Sequence, residues 1–105
     1  KNFDLLLTST LPITAFQVGQ DKPREINGRS TTYLGWSAFT YPFNITGHPA
    51  ATLPCGFTRN GMPVGLQVVG QWRDDITVLR ASAAFEKFAP WAAIRPPLEQ
   101  VSKPQ

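Results

Sequence analysis

The stretch Thr40–Gly70, TYPFNITGHPAATLPCGFTRNGMPVGLQVVG, decides the fold. Two apolar runs, Ala51–Thr58 and Pro63–Gly70, flank Arg59-Asn60-Gly61-Met62. Asn-Gly between apolar runs predicts a β-hairpin, because a type I′ turn needs positive φ at both central residues and these two tolerate it. Pro54 has no N–H for a ladder, so its strand is expected at an edge or interrupted there. Upstream, Tyr33–Gly47 reads as a short or kinked helix. Ser37 is a candidate cap, Pro42 a tolerated early position and Gly47 a natural end.

Working outward, Asp74 is placed to cap a helix, with Asp75 in its first turn. Val78, Ala81, Ser82, Phe85 and Phe88 recur at helical spacing and define its core face, and Pro90 stops it. The tail, 90–105, reads as an extended strap in which Trp91, Ile94 and Leu98 pack on the body. At the other end, FDLLLTSTLPI (3–13) is a short apolar block closed by Pro12, which fits a strand buried on both faces. Residues 16–32 are polar and broken by Gly19, Pro23 and Gly28, and read as one long loop that is either a lid or a plain excursion. The order strand, loop, helix, hairpin, helix predicts an α/β layer with a mixed sheet flanked by helices, in one unit spanning 1–105.

Composition narrows the function. The 105 residues carry a net charge of +3, and 42% are hydrophobic. That suits one modest core and not a disordered chain. The basic residues are dispersed, which argues against nucleic-acid binding. No apolar run approaches the roughly 20 residues of a membrane span. A single cysteine excludes an internal disulfide, and no secretory leader is legible, so a cytoplasmic setting is the expectation.

The chemistry-bearing residues are few. His48, the only histidine, sits in Gly47-His48-Pro49 and reads as a packed structural residue before it reads as a base. One His and one Cys do not make a four-ligand zinc site, and no motif for a cofactor is present. Cys55 has neither a helix N-terminus nor a cation beside it in sequence, so it reads as a small hydrophobe. Thr8-Ser9-Thr10 ends the first strand, where α/β sheets line ligand sites; backbone capping is the plainer reading. Asn44-Ile45-Thr46 matches a glycosylation acceptor by chance. Adjacent Asp74 and Asp75 do not share a helix face. The aromatic cluster Tyr33, Trp36, Phe39, Tyr41 and Phe43 is either a core patch or the apolar wall of a ligand pocket.

Three motifs together resemble the closing segment of amidase-signature enzymes. They are DLLLTSTLPITAF (4–16), YPFNITGHPAATLPCGF (41–57) and GMPVGLQVVG (61–70), the last followed by Asp75, Val78, Leu79, Phe85 and Glu86. The resemblance implies amide hydrolysis by a serine nucleophile, a second serine on a cis peptide and a lysine, with backbone donors holding the oxyanion. No segment here matches that family's Gly-Ser-rich loop, and no lysine stands in a matching motif. The centre is therefore expected before Lys1, with no catalytic residue in this chain. Many members have proline where this chain has Ser9. Glutamine-using members carry an acidic residue near Trp36-Ser37, which favours a less polar amide substrate here.

The pocket residues implied are Tyr33, Trp36, Ser37, Phe39 and Thr10. The partners implied are a small-molecule amide substrate and the N-terminal catalytic part of the same enzyme. The alternative is a non-catalytic binding or assembly module. An apolar face left open by a missing half also predicts homodimerisation.

Overall fold

The computed structural model describes residues 2–98. Its centre is a three-stranded sheet of β1 (Leu5–Ser9), β5 (Pro63–Gly70) and β4 (Ala50–Phe57), in the order β1-β5-β4. Both pairings are antiparallel. The α/β class holds, but the expected mixed sheet is antiparallel among the described residues. The crossover from β1 to β4 does make those two strands run the same way, yet β5 is inserted between them, so they never pair.

The hairpin forms where Asn60-Gly61 predicted it, through a different turn. Gly61 alone has positive φ (81°), and its N–H donates to the Thr58 carbonyl at 2.9 Å. Thr58 then closes the loop twice: its N–H donates to the Met62 carbonyl, and its hydroxyl accepts from the Met62 N–H. This is a five-residue connection, 58–62, with a left-handed glycine in fourth place, one of the longer loops that commonly follow the two-residue turn in frequency. Pro54 lies at a register shift between Pro54 and Gly56 on the edge strand β4, as its missing donor requires.

The two-residue turn lies instead inside the segment read as a loop. Asn27 (φ 51°) and Gly28 (φ 75°) join β2 (Glu25–Ile26) to β3 (Arg29–Ser30). This hairpin is tied down by Thr31. The Thr31 N–H donates to the Arg24 carbonyl, its hydroxyl donates to the Pro23 carbonyl, and its own carbonyl accepts from Lys22 Nζ at 2.7 Å. Pro23 is buried beneath it.

The region Tyr33–Gly47 splits into a 3-10 turn, Gly35–Ser37, and a six-residue helix α1, Tyr41–Thr46. Pro42 stands in the first turn and Gly47 (φ 78°) ends the helix, as expected. Ser37 caps no helix; its hydroxyl donates back to the Leu34 carbonyl. Helix α2 (Asp75–Phe88) begins as predicted, with Asp74 accepting from the Thr77 N–H at 3.2 Å and from its hydroxyl at 2.6 Å.

The core is small. Leu53, Val68, Val69 and Val78 are its buried apolar side chains. Register places Leu53 and Val68 on one sheet face, which α2 covers through Val78. Strand and helix touch at Gly70, where a Cβ would lie 2.6 Å from Val78 Cγ2 and 3.2 Å from the Asp74 carbonyl oxygen.

Strand β1 is not buried on both faces: Leu6 is 52% and Leu7 58% exposed. The reason is position: β1 is an edge strand, Leu7 points to the face where α2 packs mainly over β4 and β5, and Leu6 points to the opposite face. Phe88 keeps the helical spacing of the stripe, but as the last residue of α2 it is exposed. Of the tail, Trp91 packs on Phe85 with ring centroids 6.3 Å apart, while Ile94 and Leu98 are exposed. The remainder of the strap, 99–105, lies outside the described residues.

Gly70→Ala is expected to destabilise the protein by about 1–3 kcal/mol, because the added methyl overlaps both Val78 and backbone. Asp74→Ala is expected to cost about 1 kcal/mol through loss of the cap. Urea unfolding of each variant checks both values.

Candidate functional site

The face of the sheet opposite α2 is polar where β1, β5 and β4 meet. Alternation puts Thr8 and Thr10, Gln67, and Thr52 on this one face. Gln67 is only 4% exposed, in the middle of an otherwise apolar strand. A buried carboxamide costs free energy unless it is hydrogen-bonded. Gln67 Nε2 spends both hydrogens, one on Thr8 Oγ1 at 2.9 Å and one on the Phe39 carbonyl at 2.7 Å. The second bond clamps the segment before α1 onto the sheet.

Two residues along, the Thr10 and Thr52 hydroxyls share a hydrogen bond of 2.6 Å across the top of β5. The residue beneath them is Gly65. A Cβ there would sit 2.7 Å from Thr10 Oγ1 and 3.0 Å from Thr52 Oγ1, so only glycine leaves room for the pair. The Thr10 N–H donates to the Gly65 carbonyl and holds the strand end in register.

Between this polar row and α1 lies a cavity of about 290 Å³. Its polar lining is Thr10, Thr40, Asn44, His48, Thr52 and Gln67, with no Asp, Glu, Lys or Arg. Such a lining suits a neutral hydrogen-bonding group and offers no anchor for an ion. A second depression, about 400 Å³, runs along Thr10–Ala15 and Pro63–Gly65 and shares Thr10 with the first. A third, about 320 Å³, shares Pro12 with the second and lies between Phe39 and the β2–β3 hairpin.

The sequence-predicted pocket residues divide. Thr10 stands at the junction of two cavities, and Phe39 lines the third while its carbonyl takes the Gln67 bond. Trp36 is half-buried, edge-on to Phe16 at 5.4 Å, and its Nε1 is buried with no hydrogen-bond partner among the described residues. Ser37 is held within its own turn: its hydroxyl donates to Leu34 and its carbonyl accepts from the Thr40 hydroxyl. Tyr33 is 68% exposed. Among the described residues, no hydrogen bond or ring contact joins Tyr33, Trp36 or Ser37 to Thr10.

Gln67 and Thr52 were not singled out in the sequence, although one signal was present. A glutamine between Leu66 and Val68 breaks an apolar run, and a buried polar residue is the informative exception.

The other reactive side chains are engaged structurally. His48 Nδ1 bonds the Thr46 hydroxyl at 2.8 Å, and its ring stands edge-on to Phe43. The Cys55 thiol is exposed, with its sulfur 3.4 Å from the Val64 carbonyl oxygen. Among the described residues, no three of His, Cys, Asp and Glu are grouped to hold a metal ion, and no helix is long and apolar enough to cross a membrane.

Gln67→Leu is expected to lower stability by about 1–3 kcal/mol, since it strips partners from the Thr8 hydroxyl and the Phe39 carbonyl. Gly65→Ala is expected to be destabilising as well, by separating the Thr10–Thr52 pair. Thermal unfolding of the two variants measures both effects.

A model of the Amidase family matches residues 1–79. An acylamidase of Rhodococcus erythropolis is 42% identical over 97 residues, which is 90% of this chain and 20% of that protein. A glutamyl-tRNA(Gln) amidotransferase polypeptide from Methanosarcina acetivorans is 44% identical over 94 residues, 90% of this chain and 18% of that protein. Among solved structures, a bacterial aryl acylamidase of the amidase-signature family superposes with a TM-score of 0.78 at 37% identity, covering 90% of this chain and 21% of that one. The chain thus spans about a fifth of the length of the relatives it matches. With these matches covering nine-tenths of its length, the chain belongs to the amidase-signature family.

Proposed function

We propose that this chain is the C-terminal part of an amidohydrolase that cleaves carboxylic amides through a Ser–cis-Ser–Lys centre carried by sequence before Lys1. In this reading the segment supplies core and one wall of the substrate pocket. The observation that carries it is the likeness to acylamidases across nine-tenths of the chain, which is only about a fifth of their length. A hydrolase needs an activated nucleophile and donors aimed at the oxyanion. The reactive groups here are spent otherwise: His48 on Thr46, and Lys22 on the Thr31 carbonyl.

The partner in this reading is the rest of the same enzyme. The chain is a slab, 57 × 36 × 20 Å, with a radius of gyration of 16.3 Å against about 13 Å for a compact chain of this length. Helix α2 carries a second apolar stripe, Ile76 and Leu79, opposite its buried face. Leu7 on the α2 side of the sheet and Leu6 on the other side are exposed as well, and in this reading the larger fold covers these apolar residues. A second copy of the chain is the competing occupant, and it fits the alternative reading, a non-catalytic assembly module.

The substrate we favour is an aryl or acyl amide and not glutamine, because the family resemblance implies an acidic residue near Trp36-Ser37 in glutamine-using members, and this chain has Trp and Ser there. In this reading the half-buried Trp36 ring supplies an apolar face.

In the whole enzyme, Trp36→Ala is expected to raise KM for aryl amides roughly fivefold, about 1 kcal/mol of lost aromatic contact, with aliphatic amides changed less. Steady-state kinetics on a panel of both classes tests this; equal effects on the two classes would contradict the pocket assignment. The 105-residue chain alone is expected to hydrolyse none of the panel. Turnover by the chain alone, abolished by Ser9→Ala or Cys55→Ala, would place the chemistry inside this segment and overturn the reading.

A further inference from the structure

The chain contains two Asn-Gly pairs, and the fold treats them differently. Asn27-Gly28 and Asn60-Gly61 are both exposed, so solvent access does not separate them. Their backbone nitrogens do. The Gly61 N–H donates to the Thr58 carbonyl at 2.9 Å, inside a loop braced again by the Thr58 hydroxyl. The Gly28 N–H lies outside the two-residue ladder of β2 and β3, and it has no acceptor among the described residues.

We infer that Asn27 is a site of spontaneous covalent modification, deamidating through Gly28 while Asn60 is protected by its turn. Asparagine is among the thermolabile residues, and glycine exposes its nitrogen because it has no side chain to shield it. The Gly28 nitrogen loses its proton to water and attacks Cγ of Asn27. The bond from Cγ to the side-chain nitrogen breaks, and that nitrogen leaves as ammonia, giving a cyclic imide. Water then opens the imide at either carbonyl, to aspartate or to isoaspartate. The sum is one water in and one ammonia out, with no oxidant or reductant. At Gly61 the same attack first requires the bond to Thr58 to break. That bond corresponds to a factor of about 2–10 in rate.

The consequence is local. Isoaspartate adds a methylene to the main chain in a two-residue turn whose length fixes the Ile26–Arg29 pairing. The hairpin it would loosen is the wall of the cavity that faces Phe39. The inference needs only the turn geometry and stands apart from the functional reading.

The test is incubation of the whole protein at mildly alkaline pH, followed by tryptic mass mapping. Cleavage after Arg24, Arg29, Arg59 and Arg73 puts the two sites on separate peptides, 25–29 and 60–73. The same incubation is run in denaturant. The expected result is deamidation of 25–29 ahead of 60–73 by about 2–10-fold in the folded protein, with the difference shrinking in denaturant. Asn60 reacting as fast as Asn27 in the folded protein would overturn the inference. So would a preference that persists unchanged in denaturant, since it would then come from neighbouring residues and not from the fold. Asn27→Gln should remove the product from the first peptide and leave the second unaffected; if the product remains, Asn27 is not its source.

Discussion

Strand β5 carries more constraints than any other element. It is hydrogen-bonded along both edges, to β1 and to β4, and its second half, Gln67–Gly70, is buried throughout. One face must accept α2 at close range, which is why Gly70 is glycine and Val78 sits against it. The other face must hold the segment before α1, which is why a glutamine is tolerated at 67: it reaches Thr8 and the Phe39 carbonyl at once. Burying an amide is favourable only when its hydrogens are spent, so Gln67, Thr8 and the backbone at Phe39 stand or fall together. The cavity lined by Thr10, Thr52 and His48 exists because this clamp sets how far α1 stands from the sheet.

The parts legible in the sequence were those fixed by local chemistry. Asp74 capped α2, Gly47 ended α1, and Pro54 marked an interruption of an edge strand, each because one residue type suits one backbone state. The hairpin was legible as a hairpin, but its turn was not: Asn60-Gly61 has the composition of a two-residue turn and adopts a longer one, while Asn27-Gly28 forms the tight turn in a stretch too polar to look like strand. Turn composition limits the options, and strand register chooses among them.

What depended on distant packing was hidden. The exposure of Leu6 and Leu7, one on each face, follows from β1 lying at the edge of the sheet, a fact of strand order that no local pattern encodes. Tyr33, Trp36 and Ser37 lie close to Phe39 in sequence, yet of these four Phe39 alone lines one of the three cavities described. Gln67 and Thr52 were overlooked because each is ordinary alone; their meaning appears when register places them beside Thr8 and Thr10 on one face. The same register explains the glycine at 65.

The exposed apolar residues and the flat shape give the surface a direction. Family membership supplies the frame: this chain spans about a fifth of the length of its amidase-signature relatives, and in the proposed reading it supplies pocket and core while the chemistry lies elsewhere. The most direct test is to express the 105-residue chain and the remaining part of the enzyme as separate polypeptides, alone and together, and to measure aryl-amide hydrolysis. The account predicts activity only when both are present, with the two parts purifying as a complex. Activity in the remaining part alone, equal to that of the pair, would contradict it.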